Sequence, residues 1–433
     1  MAMKKERTIG LWPAISIGVG AMVGAGIFSI FGTAAYISGQ AVYISFIIAG
    51  FIALLSTYSY AKLSVKYPSA GGPAEFLIRG FGDNILTGGL NLMLWLGYIF
   101  GLSLYAKGFS YYALTFLPSG SPAFLSNVFA TIIILFFTLV NFFGAKAVGK
   151  SEVFIVTIKV GILIFFALIG LFYIHPGNLS LSSVQFGNMF YGAGLVFLAY
   201  QGFGLITNTA EDIKDPKKNL PRALYLSVLI VMIIYVLVSI TVMGNLSVLE
   251  VESAKDYALA AAARPFLGSL GFIVMAAAAL FSTSSAINAS LYGGANISYI
   301  LAKHGELPRS FERKLWFSGT EGLFITVLLV LFFTNFVNLE GIGVLASLSL
   351  LVIYIGVNLA HLRLYRKTGA HPIIIVSALI GSAVFFGVLM LYELKQIYVI
   401  VLFFALLCLC FVGEGVYRYY TGREYKIRNL TLR

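Results

Sequence analysis

Lys159 is the only charged residue in VFIVTIKVGILIFFALIGLFYI, residues 153–174. A stretch of that length crosses a bilayer core. A charge held at that depth costs at least about 2.5–3.5 kcal/mol, so intramembrane ionisable side chains mark ion and proton pathways. Lysine suits proton chemistry better than arginine, because burial can lower its pKa far enough for it to release a proton. A lysine that loads and unloads a proton inside a membrane is what a proton-coupled transporter requires. The competing reading is that Lys159 snorkels. It lies roughly 10 Å from the start of its segment at about 1.5 Å per residue, partly within reach of a long side chain.

A second candidate is built from backbone. GVGAMVGAGIF, 18–28, holds four glycines within nine residues, a density that opposes an unbroken helix. Unwinding near Gly24, Ala25 and Gly26 would free N–H groups in the membrane middle, where each must find a partner. A carboxylate beside a half-helix N-terminus is a natural one. FLAYQGFG, 197–204, would offer carbonyls suited to an ammonium group. Met22, Gly24, Ala25, Gly26 and Ile27 with Phe197, Leu198, Tyr200, Gln201, Gly202 and Phe203 thus describe a pocket for a zwitterion, that is, an amino acid. The alternative is a tight glycine-mediated crossing of two helices with no ligand.

Other chemistries lack their residues. His175, His304 and His371 fall in predicted loops and His361 near a helix end, so the clusters that an embedded enzyme or a metal site needs are not expected. No GxxxxGK[ST] loop supports ATP-driven pumping, and no charge ring or repeated filter supports a channel. Neither a cofactor nor a catalytic residue is expected.

The elements that must position these groups are membrane helices. The chain has 433 residues, 59% hydrophobic and 11% charged, with a mean hydropathy of +0.93. Soluble domains carry about a quarter charged residues. The composition predicts an all-α polytopic membrane protein. Twelve apolar spans are read at 11–36, 41–66, 84–116, 125–146, 151–174, 187–210, 222–246, 267–302, 320–338, 341–365, 372–393 and 396–419. MAMKKERTIGLWPA enters the first span without an A-x-A cleavage site, so that span reads as a retained helix and not a signal peptide. Cys408 and Cys410 share one late segment and read as small core or lipid-facing residues. No soluble domain interrupts the spans, and 1–433 reads as a single membrane domain.

Charge sets the expected orientation. Of the 29 Lys and Arg, Lys107 and Lys159 fall within spans and Lys255, Arg264 and Lys395 on one side. The rest lie at the termini or in even-to-odd connections, so both termini are expected in the cytoplasm of a cell-membrane protein. The net charge of +12 follows from that asymmetry and from anionic lipid, with no basic domain to present to nucleic acid. The partners expected are an amino acid, protons and the bilayer; no partner subunit is evident. Gly20, Gly24 and Gly26 interrupt the first span, and Gly192, Gly194, Gly202 and Gly204 the sixth. Five crossings separate them, which inverts the second unit, as in inverted-repeat secondary transporters.

Several stretches resemble one family. GAGIF, 24–28, is similar to the G-[SA]-G-I-F signature of the amino acid–polyamine–organocation (APC) superfamily. PSAGGPAEFLIRGFG (68–82), EDIKDPKKNLPRA (211–223) and AKHGELP (302–308) resemble its loops after helices 2, 6 and 8. The matches cover residues 10–365 in the right order, and the likeness is strongest to an archaeal proton-coupled amino-acid transporter. The resemblance implies a LeuT-type 5+5 inverted repeat, about 11–174 and 187–365, plus two accessory helices at about 372–419. It also implies that Lys159 fills the space that sodium takes in relatives, near the carbonyls of Gly20 or Val23 and the hydroxyls of Ser282 and Ser285. The chain departs from the family at Leu198, where many members carry an aromatic gate, and at Gly71-Gly72-Pro73-Ala74, where a tyrosine is missing.

Lesser expectations complete the reading. Lys107 snorkels, Tyr98 and Tyr105 serve pocket or packing, and Glu75 is an acid of a cytoplasmic loop. Glu211, Asp212 and Asp215 form ion pairs with the lysines around them. The function expected is secondary active transport of neutral, fairly apolar L-amino acids, proton-coupled, sodium-independent and working by alternating access. The alternatives are an obligate amino-acid exchanger with Lys159 purely structural and, remotely, a membrane-embedded enzyme.

Overall fold

In hydrocarbon every backbone N–H and C=O must be satisfied inside the protein, which favours helices. The computed structural model is helical almost throughout, and it describes residues 7–118, 120–143, 148–181, 184–313 and 321–421. Lys4, Lys5, Lys146, Lys314 and the tail from 422 onward, part of the charge asymmetry, lie outside the described residues. The helices are α1 (Leu11–Ser38), α2 (Val42–Lys66), α3 (Pro73–Phe81), α4 (Ile85–Leu114), α5 (Phe124–Phe143), α6 (Val148–Gly170), α7 (Phe186–Val196) and α8 (Gly204–Thr207). They continue as α9 (Pro216–Asn245), α10 (Val248–Ser253), α11 (Ala258–Lys303), α12 (Glu321–Phe336), α13 (Leu339–Thr368), α14 (Pro372–Glu393) and α15 (Ile397–Thr421). Each apolar span read from the sequence overlaps one of these. Among the described residues, ten stretches are long and apolar enough to cross a membrane, and Leu11–Gly24 and Glu321–Phe336 are shorter apolar helices.

Burial separates interior from periphery. The most apolar windows of α4 and α13 are 78% buried, whereas those of α14 and α15 are 28% and 22% buried. The first pair therefore forms the middle of the bundle and the second presents most of its surface to lipid. α15 is nevertheless anchored. Arg418 donates to Glu414 at 2.5 Å and is ion-paired with Asp83, just before α4. Cys410 is buried and Cys408 exposed, one in the core and one outward.

Two elements differ from the sequence expectation. α1 runs unbroken through Gly24, Ala25 and Gly26, where unwinding was expected. Each helical glycine costs about 1 kcal/mol relative to alanine, but each N–H stranded in an apolar interior costs several, so local propensity loses. The interruption falls on the other partner. α7 tightens at Val196 into a 3-10 segment, Phe197–Phe203, before α8. α11 carries a further break at Gly268, whose backbone is left-handed at φ 64°.

The start of α1 is strapped to the connection between α8 and α9. Thr8 and Ile9 both donate their N–H to the Asp212 carbonyl at 3.0 Å, and Lys214 N–H donates to the Ile9 carbonyl at 2.8 Å. The loop from which ion pairs were expected holds the N-terminal segment by its backbone.

Candidate functional site

The Lys159 side chain, 2% exposed, turns inward from α6 and donates from Nζ to the Gly20 carbonyl of α1 at 2.7 Å. It does not snorkel to a helix end. One turn further along α1, a β-carbon at Gly24 would sit 3.3 Å from the lysine Nζ and 2.8 Å from the Ala286 Cβ. Glycine at 24 therefore lets α6 and α11 approach α1 closely enough to seat the lysine. Ser282 on α11 is fully buried and donates to the Val23 carbonyl at 3.1 Å. Ser285, three residues on, is partly buried. Lys159, Gly20, Val23 and Ser282 are thus brought together where α1, α6 and α11 meet.

The crossing of α1 with the 3-10 segment is tight. A β-carbon at Gly26 would collide with Ala199, and one at Gly202 would lie 2.5 Å from the Met22 nitrogen. Tyr235 of α9 closes the junction from behind: its hydroxyl donates to the Met22 carbonyl at 2.6 Å and lies 3.3 Å from the Ala199 carbonyl. At these positions the glycines act as the close-packing alternative foresaw.

Beside this crossing lies a cavity of about 80 Å³. Ala21 of α1, Gln201 and Gly202 of the 3-10 segment, Leu205 of α8, and Ala286, Ala289 and Ser290 of α11 form one side. Tyr98 and Tyr105 of α4, Tyr60 of α2, and Ile353 and Tyr354 of α13 form the other. None of the described residues lining it is charged. Both polar atoms of the Gln201 carboxamide are buried with no hydrogen-bond partner.

Of the described residues expected in the pocket from α1 and the 3-10 segment, Gln201 and Gly202 line this cavity, and so do Tyr98 and Tyr105. Met22, Ile27, Phe197, Leu198, Tyr200 and Phe203 are all buried in packing. Gly24 and Gly26 are buried as well, and Ala25 has its side chain outside the described residues. Tyr200 donates to the Phe46 carbonyl of α2 at 2.8 Å. Phe197 packs edge-on against Tyr354 and Phe385. Phe203 packs against Tyr60 and Tyr354, with centroids 5.2 and 5.8 Å apart, and so backs two rings of the cavity wall.

Sequence reasoning missed Tyr60, Tyr235 and Tyr354. For Tyr235 and Tyr354 the signal was a hydroxyl standing in an otherwise apolar run; Tyr60, between Ser59 and Ala61 in a stretch rich in hydroxyls, gave none. Two lesser expectations are corrected. Lys107 is 6% exposed and donates to the Asn127 side chain of α5 at 2.5 Å, so a side-chain partner within the protein replaces snorkelling. Glu75 is buried in α3 and accepts from Arg79 at 2.6 Å.

An all-helical, multi-pass membrane protein that encloses a small uncharged cavity beside a buried lysine has the build of a small-molecule transporter. The amino acid permease family matches residues 9–413. An uncharacterized protein of Methanocaldococcus jannaschii is 45% identical over 391 residues, 90% of each chain. The inner membrane transport protein YbaT of Escherichia coli is 36% identical over 385 residues, 88% of this chain and 90% of its own. The branched-chain amino acid permease BcaP of Bacillus subtilis is 25% identical over 376 residues, 80% of this chain and 79% of its own. The chain belongs to the amino acid permease family, within the APC superfamily, and this is a family of transporters and not of enzymes.

Proposed function

We propose that the protein is a secondary active transporter of neutral L-amino acids, proton-coupled and sodium-independent, working by alternating access. Lys159 carries this reading: a buried cation that bridges α6 to the Gly20 carbonyl of α1 at 2.7 Å. A charge-assisted hydrogen bond is roughly twice as strong as a neutral one. Loading or removing the proton therefore changes how firmly α1 is held. A proton that favours one arrangement of α1 over another shifts the population between them. With an ammonium already in the cation space, sodium has no role.

The cavity supports a neutral substrate, because no carboxylate or base in its wall would balance a charged side chain. The substrate's head group is read by backbone groups where α1 meets the 3-10 segment, with Met22, Gly24, Ala25, Gly26 and Ile27 on one side and the main chain of Phe197 to Phe203 on the other. Binding there requires this tight junction to loosen. We assign the helices to two inverted repeats of five plus two accessory helices, in the cell membrane with both termini cytoplasmic.

The test is uptake of a radiolabelled amino-acid panel into proteoliposomes under imposed pH or sodium gradients. Accumulation driven by an inward proton gradient and indifferent to sodium supports the reading. Uptake that requires sodium contradicts the cation assignment. Uptake only against internal amino acid points to an obligate exchanger in which Lys159 is structural.

A further inference from the structure

Among the described residues lining the cavity is a carboxamide that the protein itself leaves unanswered. Gln201 lies on the 3-10 segment between two fixed neighbours. Tyr200 is bonded to α2 through its hydroxyl at 2.8 Å, and Gly202 lies so close to α1 that a β-carbon there would be 2.5 Å from the Met22 nitrogen. The segment is therefore pinned on both sides of the glutamine. Gln201 lines the cavity, and its Oε1 and Nε2 are both buried without a hydrogen-bond partner. A carboxamide offers two donors and an acceptor. Buried polar groups in native structures are almost always satisfied, so an orphaned pair calls for a partner that arrives from outside.

The cavity, at about 80 Å³, is large enough for water to serve that carboxamide when nothing else does. A substrate entering it displaces that water. Displacing ordered water with a group that cannot reproduce its hydrogen bonds loses affinity. An aliphatic side chain would leave the carboxamide stripped, whereas a hydroxyl or a second carboxamide would restore its bonds. Much of the surrounding wall is Leu94, Leu350, Ile353, glycine and alanine, which limits size without offering charge.

We propose that Gln201 is the specificity-determining residue of this cavity, selecting small neutral amino acids with a hydroxyl or carboxamide side chain over their apolar isosteres. The proposal rests on the neutral amino-acid reading above and narrows its substrate class.

The test uses isosteric pairs, so that size is held constant: threonine against valine, and asparagine against leucine. Competition for uptake is measured with the full-length protein in proteoliposomes, and ligand-induced Tm shifts are measured on the purified protein. The wild type should favour the polar member of each pair by about tenfold or more, since a site built to hydrogen-bond a hydroxyl rejects the analogue lacking it. Gln201→Met, similar in length but unable to form those bonds, should bring the ratio close to unity as threonine loses and valine gains; Gln201→Leu serves if that variant folds poorly. Equal wild-type affinity for threonine and valine would overturn the proposal. A proportional loss of both in the variant would also overturn it, moving Gln201 to the shared amino-acid head group. Tm discrimination without uptake under any gradient would support the proposal while refuting the transport reading.

Discussion

The Tyr235 hydroxyl holds together two backbones that a ligand would have to part, the Met22 carbonyl at 2.6 Å and the Ala199 carbonyl at 3.3 Å. Tyr235→Phe removes the hydroxyl, with the one hydrogen it donates, and keeps the ring. Such a bond is worth about 0.5–1.5 kcal/mol net, so the variant should lower the Tm of the purified protein while leaving its yield unchanged; an unaltered Tm would show the hydroxyl to be idle. Gly24→Ala is sharper, because a methyl group would stand 3.3 Å from the Lys159 Nζ and 2.8 Å from Ala286. It should depress proton-driven uptake more than it depresses Tm. Lys159 was legible in the sequence as a lone charge in an apolar span, whereas its Gly20 neighbour was expected only through the family resemblance. The aromatic directions were not legible: Phe197 and Phe203 both pack on Tyr354 of α13 while Tyr200 between them bonds to α2, and only tertiary packing decides which.

At the level of elements, propensity misled where packing ruled. Four glycines suggested that the first helix would break, yet α1 is continuous and the 3-10 segment at Phe197–Phe203 carries the irregularity instead. Glycine in a membrane helix can signal either a break or a close neighbour, and sequence alone does not say which. Gly26→Val tests this. The side chain would meet Ala199 and Tyr235, so the variant should lose stability with no ligand present, seen as a Tm drop and poor detergent-solubilised yield. Weaker substrate affinity at wild-type stability would instead show that bulk at Gly26 obstructs the ligand and not the packing. The strap from Thr8–Ile9 to Asp212–Lys214 links the start of α1 to the end of the broken helix. Ile9→Pro deletes one of its three backbone bonds and should slow transport without changing substrate affinity; unchanged rates would leave the strap without a part in the cycle.

The whole molecule was more legible than its site. Length, hydropathy and charge placement mark helical spans because the bilayer imposes one solution on the backbone. The cavity's position was hidden, since its walls come from α2, α4, α11 and α13 as well as from the broken helix. No local pattern announces such a convergence. If the bundle works as a proton-coupled carrier, substrate entry must carry protons across the same membrane, and Lys159 must be the group that lets them. The most direct measurement follows internal pH in sodium-free proteoliposomes holding a trapped pH dye, when a transported amino acid is added outside. The predicted result is prompt acidification with the wild type and none with a folded Lys159→Ala variant. Amino-acid-driven acidification that persists in that variant would contradict the coupling role of Lys159, and substrate uptake by the wild type with no change in internal pH would contradict proton coupling altogether.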